Sequence, residues 1–172
     1  MELSITARLL ITRKPYPDES FMGYVLRLTE KNTYESLSWV LQIAGLNYEE
    51  SRQGCMLAFG ASENLARLAN LAGISLTELS QLTYRCVPES GGLPLHYFFG
   101  QPVSQDLIRS SRPKICPDCL SDSPYCRRIW EFSAVTACPA HRRLLIDECP
   151  KCKRRISWLR RSVAVCSCKF DW

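Results

Sequence analysis

Cys116-Pro117-Asp118-Cys119, Cys138-Pro139-Ala140-His141, Cys149-Pro150-Lys151-Cys152 and Cys166-Ser167-Cys168 decide how this chain folds. Three of the four couplets separate their ligands by two residues, and the last by one. Eighteen residues lie between the first couplet and the second, and thirteen between the third and the fourth. Eight soft or borderline ligands in two sets of four match tetrahedral zinc. A two-residue gap lets one tight turn aim both side chains at one ion. Pro117, Pro139 and Pro150 each follow a ligand directly, where a fixed φ helps to start that turn. The spacing therefore predicts two structural Zn2+ ions, one on Cys116, Cys119, Cys138 and His141, the other on Cys149, Cys152, Cys166 and Cys168.

A disulfide framework is the competing reading, since ten cysteines make an even number. Two features oppose it. The N-terminus (MELSITARLLITRKP) lacks the long apolar run of a secretory signal. His141 falls in register with the cysteines, which disulfides would not require. Cys55, Cys86 and Cys126 have no partner at ligand spacing and are expected as small buried hydrophobes. His96, beside two Phe and a Tyr, is expected to pack rather than ligate.

With 172 residues the chain suits one or two small domains, and 46% apolar content is that of a folded protein. No apolar run approaches the roughly 20 residues that span a bilayer, so no membrane association is expected and a reducing cytoplasm is the default compartment. The charge is uneven. Residues 1–108 hold 8 basic and 11 acidic side chains, whereas residues 109–172 hold 14 and 6. Even with thiolates and metal included, the back half stays basic. Arg127-Arg128, Arg142-Arg143, Arg154-Arg155 and Arg160-Arg161 all lie there. Arginine suits bidentate recognition of phosphate or carboxylate, so these eight are candidates for nucleic-acid or partner contact. Trp130, Trp158 and Trp172 offer stacking faces, with core packing the favoured role for Trp130.

The front half reads as helices. Pro17-Asp18-Glu19 is a helix start with acid at the positive end of the dipole. Phe21, Tyr24, Val25 and Leu28 follow on one face, and Asn32 is placed to end the helix in a left-handed conformation. A second helix carries Leu37, Val40, Leu41 and Ala44 inward and stops at Gly45. Ser62 caps a third, with Leu65, Leu68, Ala69 and Ala72 inward and Gly73 after it. Ser75 caps a fourth, Glu78 completes a capping box, and Ile74 with Leu79 forms a hydrophobic staple. The last pair has the look of a helix-turn-helix. Its second helix, however, would expose Thr77, Glu78, Ser80 and Gln81, none of them cationic. A structural or protein-facing role therefore suits it better than base readout.

Residues 85–115, broken by Pro88, Gly91, Gly92 and Pro94, read as a connector containing an apolar LPLHYFFG stretch. Beyond it, Leu144, Leu145 and Ile146 suggest a short strand, and Ile156, Trp158, Val163 and Val165 a hairpin ending at Cys166. The apolar content there is too small for a core without metal, which for structural zinc contributes about 10–16 kcal/mol of apparent binding. The expected architecture is small α+β: a helical, helix-turn-helix-type domain over 1–108, then two zinc-ribbon or knuckle-like modules over 109–172.

Both ligand sets are closed at four, whereas catalytic zinc keeps a position open. Neither H-E-x-x-H, nor H-x-E beside P-C-x-x-C, nor a P-loop occurs. The chain is therefore read as a non-enzyme, and a thiol redox role for the C-x-x-C pairs is the weaker alternative.

Pro17 to Leu28 (PDESFMGYVLRL) resembles the start of TniQ/TnsD proteins. Pro113 to Leu120 (PKICPDCL) and Ile129 to Cys152 (IWEFSAVTACPAHRRLLIDECPKC) are similar in detail to that family's zinc region. The likeness runs from Pro15 to Cys168 and is loose over 45–110. It implies a target-site selection adaptor of Tn7-like transposons, joining a target-bound complex to a TnsC-type AAA+ ATPase on DNA. The short length is similar to members that work with a single-protein, RNA-guided CRISPR effector and its guide RNA, where pairing reads the sequence. DNA or RNA backbone contact is implied as well. One departure is Lys169, where a glycine commonly follows the last cysteine. The alternative from the residues alone is an autonomous helix-turn-helix DNA-binding regulator with zinc as scaffold.

Overall fold

The computed structural model describes residues 8–48, 62–87, 95–98, 100–109 and 112–172. Helix α1 (Phe21–Lys31) is its centre, because every residue from Phe21 to Thr29 is buried. The sequence pattern marked only one face of α1 as apolar. The other face, with Met22, Gly23 and Leu26, is buried too, and Gly23 packs against Cys126 of the back half.

The start of α1 differs from the expected one. Ser20 is the N-cap, its Oγ accepting the Gly23 N–H at 3.1 Å. Asp18 and Glu19 lie before the helix and serve tertiary bonds instead of the dipole. Arg27 donates Nε–H and Nη2–H to the two Glu19 carboxylate oxygens at 2.7 and 2.6 Å, and both residues are buried. Asp18 accepts from Tyr125 Oη at 2.8 Å and Arg127 Nη1 at 2.9 Å. The end of α1 differs too. Asn32 has φ −92°, and Thr33 takes the left-handed conformation at φ 60°. The Asn32 amide instead staples the N-terminal segment, exchanging two 2.8 Å hydrogen bonds with the Ile11 backbone.

Helices α2 (Leu37–Ile43), α3 (Ser62–Ala72) and α4 (Leu76–Ser80) follow. Leu37, Val40, Leu41, Leu65, Leu68, Ala69, Ala72 and Leu79 enter the core, as their spacing requires. Gly45 and Gly73 end α2 and α3 with φ of 75° and 68°, a conformation that L side chains disfavour. The Ser75–Glu78 capping box is present in full. Leu9 runs beside α3, its N–H donating to Leu71 O at 2.9 Å.

The expected connector contains a three-stranded antiparallel sheet, β1 (Arg85–Val87), β2 (Leu95–Phe98) and β3 (Gln101–Val103), in that order. His96 pairs with Cys86 and Val103 and is buried, which pushes its pKa down. Helix α5 (Pro117–Asp122) and a two-stranded hairpin, β4 (Ala137–Cys138) with β5 (Arg143–Leu144), build the region of the first ligand set. The hairpin expected over 156–165 is not formed. Ile156, Trp158 and Val163 are buried along an irregular loop, and Val165 bridges Asp171.

One apolar cluster spans both halves, running from Leu9 through Phe21, Leu28 and Leu68 to Cys126, Trp130, Trp158 and Val163. Polar bonds cross the expected 108/109 boundary alongside it. Ser20 N–H donates to Cys126 O at 2.9 Å, Tyr84 Oη to Glu131 Oε2 at 2.5 Å, and Val163 N–H to Glu30 Oε2 at 3.1 Å. Burial lifts the Glu131 carboxyl to about 7.

Closest approach occurs at Gly23. A Cβ there would stand 2.6 Å from Cys126 Cβ and 2.7 Å from Ser20 Oγ. Alanine normally stabilises a helix interior relative to glycine by about 0.5–1 kcal/mol. Here overpacking reverses the sign, and Gly23→Ala is expected to destabilise the fold by about 1–3 kcal/mol in a denaturant titration. An unchanged or higher midpoint would mean that α1 and the Cys126 segment are not in contact as described.

Candidate metal centres

The first ligand set is assembled from a helix and a hairpin. Cys116 is the N-cap of α5 and Cys119 lies in its first turn, so the helix start aims both sulfurs the same way. Pro117 occupies the first helical position, where no N–H is needed. Cys138 ends β4 and His141 lies in the β4–β5 turn. Arg142 takes φ 50° to bring the chain back, and its N–H donates to Cys138 O at 2.8 Å. The Ile115–Ile146 bridge, with paired 2.9 Å hydrogen bonds, holds the helix start against the segment just beyond the hairpin.

The second set uses two tight turns of different length, closed by a bond four residues back in the first and three residues back in the second. Lys153 N–H donates to Cys149 O at 2.9 Å and Lys169 N–H to Cys166 O at 2.8 Å. Lys153 and Lys169 have φ of 60° and 65°. In both turns the residue after the second cysteine is therefore left-handed, which accounts for a glycine preference there. An L-residue in that region costs about 1–2 kcal/mol. Lys169→Gly is therefore expected to raise stability by up to about 1 kcal/mol, because greater unfolded-state freedom cancels part of the relief. A melting temperature below the wild type's would contradict the strain argument.

The two sets converge as their spacing requires. The ligand atoms of Cys116, Cys119, Cys138 and His141 all lie within 4.8 Å of one another, as do those of Cys149, Cys152, Cys166 and Cys168. In the first set the Cys119 and Cys138 sulfurs are 3.5 Å apart, and His141 Nδ1 lies 3.2–3.6 Å from the three sulfurs. In the second, Cys149–Cys168 and Cys152–Cys166 stand at 3.7 and 3.8 Å. Disulfide sulfurs approach to about 2.05 Å, so these are free thiols. Tetrahedral Zn–S bonds of about 2.3 Å set sulfurs about 3.8 Å apart. Both groups are compatible with a tetrahedral metal such as zinc.

The electrostatics point the same way. Burial pushes the Cys119 and Cys166 thiols up to about 12. Three or four thiols packed together do not all ionise unless a cation is placed among them. Arg154, hydrogen-bonded to Cys152, draws that thiol down to about 6. Asp122 Oδ2 lies 3.0 Å from His141 Nε2, which holds the proton on Nε2 and leaves Nδ1 facing the sulfurs. Sequence reasoning missed Asp122, whose only signal is its place one helical turn after Cys119. It also missed Lys114, a buried lysine that donates to Phe132 O at 2.9 Å and to Ser133 O and Val135 O. These bonds anchor the segment leading into Cys116 to the loop before β4.

The eight arginines do not form one class. Arg142, Arg143, Arg154, Arg155 and Arg161 are exposed. Arg143 pairs with Asp118 at 2.8 Å and Arg161 with Glu35 at 2.6 Å. Arg127 is half-buried on Asp18, and half-buried Arg128 donates to Gln81 O. Arg160 corrects the expectation of a surface contact, being only 4% exposed. It donates to Ser157 O at 2.6 Å, Ser162 O at 3.0 Å and Cys126 Sγ at 3.5 Å. Trp158, 1% exposed, is likewise part of the core rather than a stacking face. Cys126 is buried as expected, its thiol pushed up to about 11 by burial. Cys55 lies outside the described residues, as does the side chain of Cys86.

No helix among the described residues is long and apolar enough to cross a membrane. Comparison with curated proteins gave no match. The family model for TniQ matches residues 10–145, from the segment before α1 through the first ligand set to the end of the β4–β5 hairpin. That match covers well over half of the chain, which therefore belongs to the TniQ family.

Proposed function

We propose that this protein is a non-enzymatic adaptor in target-site selection for Tn7-like transposition, the role that TniQ membership implies. In this reading two structural zinc ions, on Cys116, Cys119, Cys138 and His141 and on Cys149, Cys152, Cys166 and Cys168, fix the shape of the back half. Zinc there supplies folding energy and neutralises thiolates. The partner on one side is a TnsC-type AAA+ ATPase on DNA, and on the other an RNA-guided CRISPR effector with its guide RNA. Arg142, Arg143, Arg154, Arg155 and Arg161 are the exposed arginines best placed to meet a phosphate backbone or an acidic partner surface, the surface pairs of Arg143 and Arg161 being weak and exchangeable.

The observation that carries the reading is the family match together with two closed four-ligand groups. A closed set leaves no position for a substrate-activating water. The test is co-sedimentation of the full chain with the ATPase and duplex DNA, with and without nucleotide. Retention only when the ATPase is assembled on DNA is the expected result. Failure to associate under any nucleotide condition would overturn it.

The helix-turn-helix regulator keeps one supporting feature, the glycine turn at Gly73 between α3 and α4. Against it, α4 has five residues, and Glu78 holds both Ser75 and Lys14. Tight binding to random duplex DNA without any partner, with a steep salt slope, would favour the regulator.

A further inference from the structure

The front and back halves meet at a cavity of about 510 Å³ that neither the family match nor the ligand sets explain. Its walls include Glu35 and Ser36, at the start of α2, and Leu159, Arg161, Val165 and Lys169 from the second zinc-type module. Leu159 is 48% exposed, and Trp39 and Ile43, four residues apart on α2, are 57% and 49% exposed. Trp39 and Ile43 thus share one exposed face of α2, the helix whose leading residues Glu35 and Ser36 line the cavity. The cations Arg161 and Lys169 line the same cavity.

We propose that this groove is the docking site for an acidic, amphipathic segment of a partner protein, with apolar anchors on Leu159 and Trp39 and a carboxylate on Arg161. The inference deepens the adaptor reading and rests on it for the existence of a partner. Charge complementarity selects the occupant. Residues 149–172 carry seven basic side chains against one acidic one, Asp171. A carboxylate already sits on the groove's cation, since Glu35 Oε1 lies 2.6 Å from Arg161 Nη2. Both side chains are largely exposed, so the pair is weak and exchangeable, worth about 0–1 kcal/mol. Glu35 thus stands in for the partner's carboxylate and competes with it.

A nucleic-acid strand fits less well. It calls for stacking faces along the groove. None of the residues lining the cavity is aromatic, Trp39 is the single exposed ring assigned to the groove, and Trp130 and Trp158 are buried elsewhere, so successive bases would find one stacking face at most. The cavity is of a size that takes apolar anchors, within the range of about 300–1,000 Å³ typical of ligand pockets.

The test is fluorescence anisotropy with the full chain and a short fluorescein-labelled peptide carrying glutamate on one helical face and leucine on the other. Controls are the same peptide with serine for leucine, a short single-stranded RNA and a short DNA duplex. Leu159→Asp and Arg161→Glu should each weaken peptide binding about tenfold, the scale of losing one buried leucine. Glu35→Gln should tighten it by up to about fivefold, by removing the competing carboxylate. Zinc content and circular dichroism verify that each variant is folded. Peptide affinity indifferent to all three changes, or Leu159- and Arg161-dependent binding of RNA or DNA instead of peptide, would overturn the proposal. Co-sedimentation with the ATPase separates the two readings. A chain that still joins the ATPase while the groove variants bind peptide normally sinks the groove alone. A chain that never joins it sinks the adaptor role.

Discussion

Stripping metal with a strong chelator, or replacing Cys138 by serine, is expected to abolish the fold of the back half. A structural zinc site contributes about 10–16 kcal/mol of apparent binding, comparable to or larger than the roughly 5–15 kcal/mol net stability of a whole domain. Without metal, three thiols and the His141 imidazole in one cluster, and four thiols in the other, face one another with no ion to bind them together. The loss should not stop at the ligands. Cys126, Trp130, Trp158 and Val163 pack into the same cluster as Leu28 and Leu68, so the far side of α1 loses its cover. Near-ultraviolet dichroism and tryptophan fluorescence should therefore collapse together with zinc release. Helical signal should fall without vanishing, because α1–α4 retain their own contacts. Full zinc content in the Cys138 variant, or a near-ultraviolet spectrum untouched by chelation, would contradict the assignment.

The second large effect lies far from any ligand. Glu19 and Arg27 form a bidentate ion pair inside the core, with side chains 0% and 7% exposed. Burial pushes the Glu19 carboxyl above its ordinary value, while the two N–H bonds from Arg27 pull the other way. Removing one partner leaves an uncompensated charge in a dry site, at a cost of about 3–5 kcal/mol. Arg27→Met and Glu19→Leu should each lower stability by that order in urea. The double substitution should be less damaging than the sum of the singles, because it leaves no orphaned charge. Arg27 also donates to Lys14 O at 3.0 Å and stacks over Tyr16, so some loss should persist in the double variant. Strict additivity would show that the pair does not act as a unit.

What the sequence revealed and what it hid divide along a physical line. The ligand sets were legible because zinc chemistry demands residue type and spacing together. The turns at Gly45 and Gly73 and the Ser75–Glu78 box were legible because each is closed within a few residues. Asp18 and Glu19 were misread for the opposite reason. Their location before α1 suggests a dipole role, yet their partners Arg27, Tyr125 and Arg127 lie 8 to 109 residues away. Arg160 and Arg161 look alike as neighbours, but one is buried against Cys126 and the other meets Glu35 in solvent. No local pattern separates them. The sheet over 85–103 was hidden because its strands have three or four residues, too few for an alternation to register against the surrounding Gly and Pro. Asp122 became recognisable only once α5 placed it beside His141.

The chain belongs to the TniQ family, and its two halves share one apolar core beside two four-residue clusters that could each hold a metal ion. The most direct test is native mass spectrometry of the freshly purified full chain, paired with a thiol count under denaturing conditions. Two zinc ions per chain, with every one of the ten cysteines titrating as a free thiol once the metal is chelated, is the predicted result. Fewer than one ion per chain, with the ligand cysteines joined in disulfides, would contradict it.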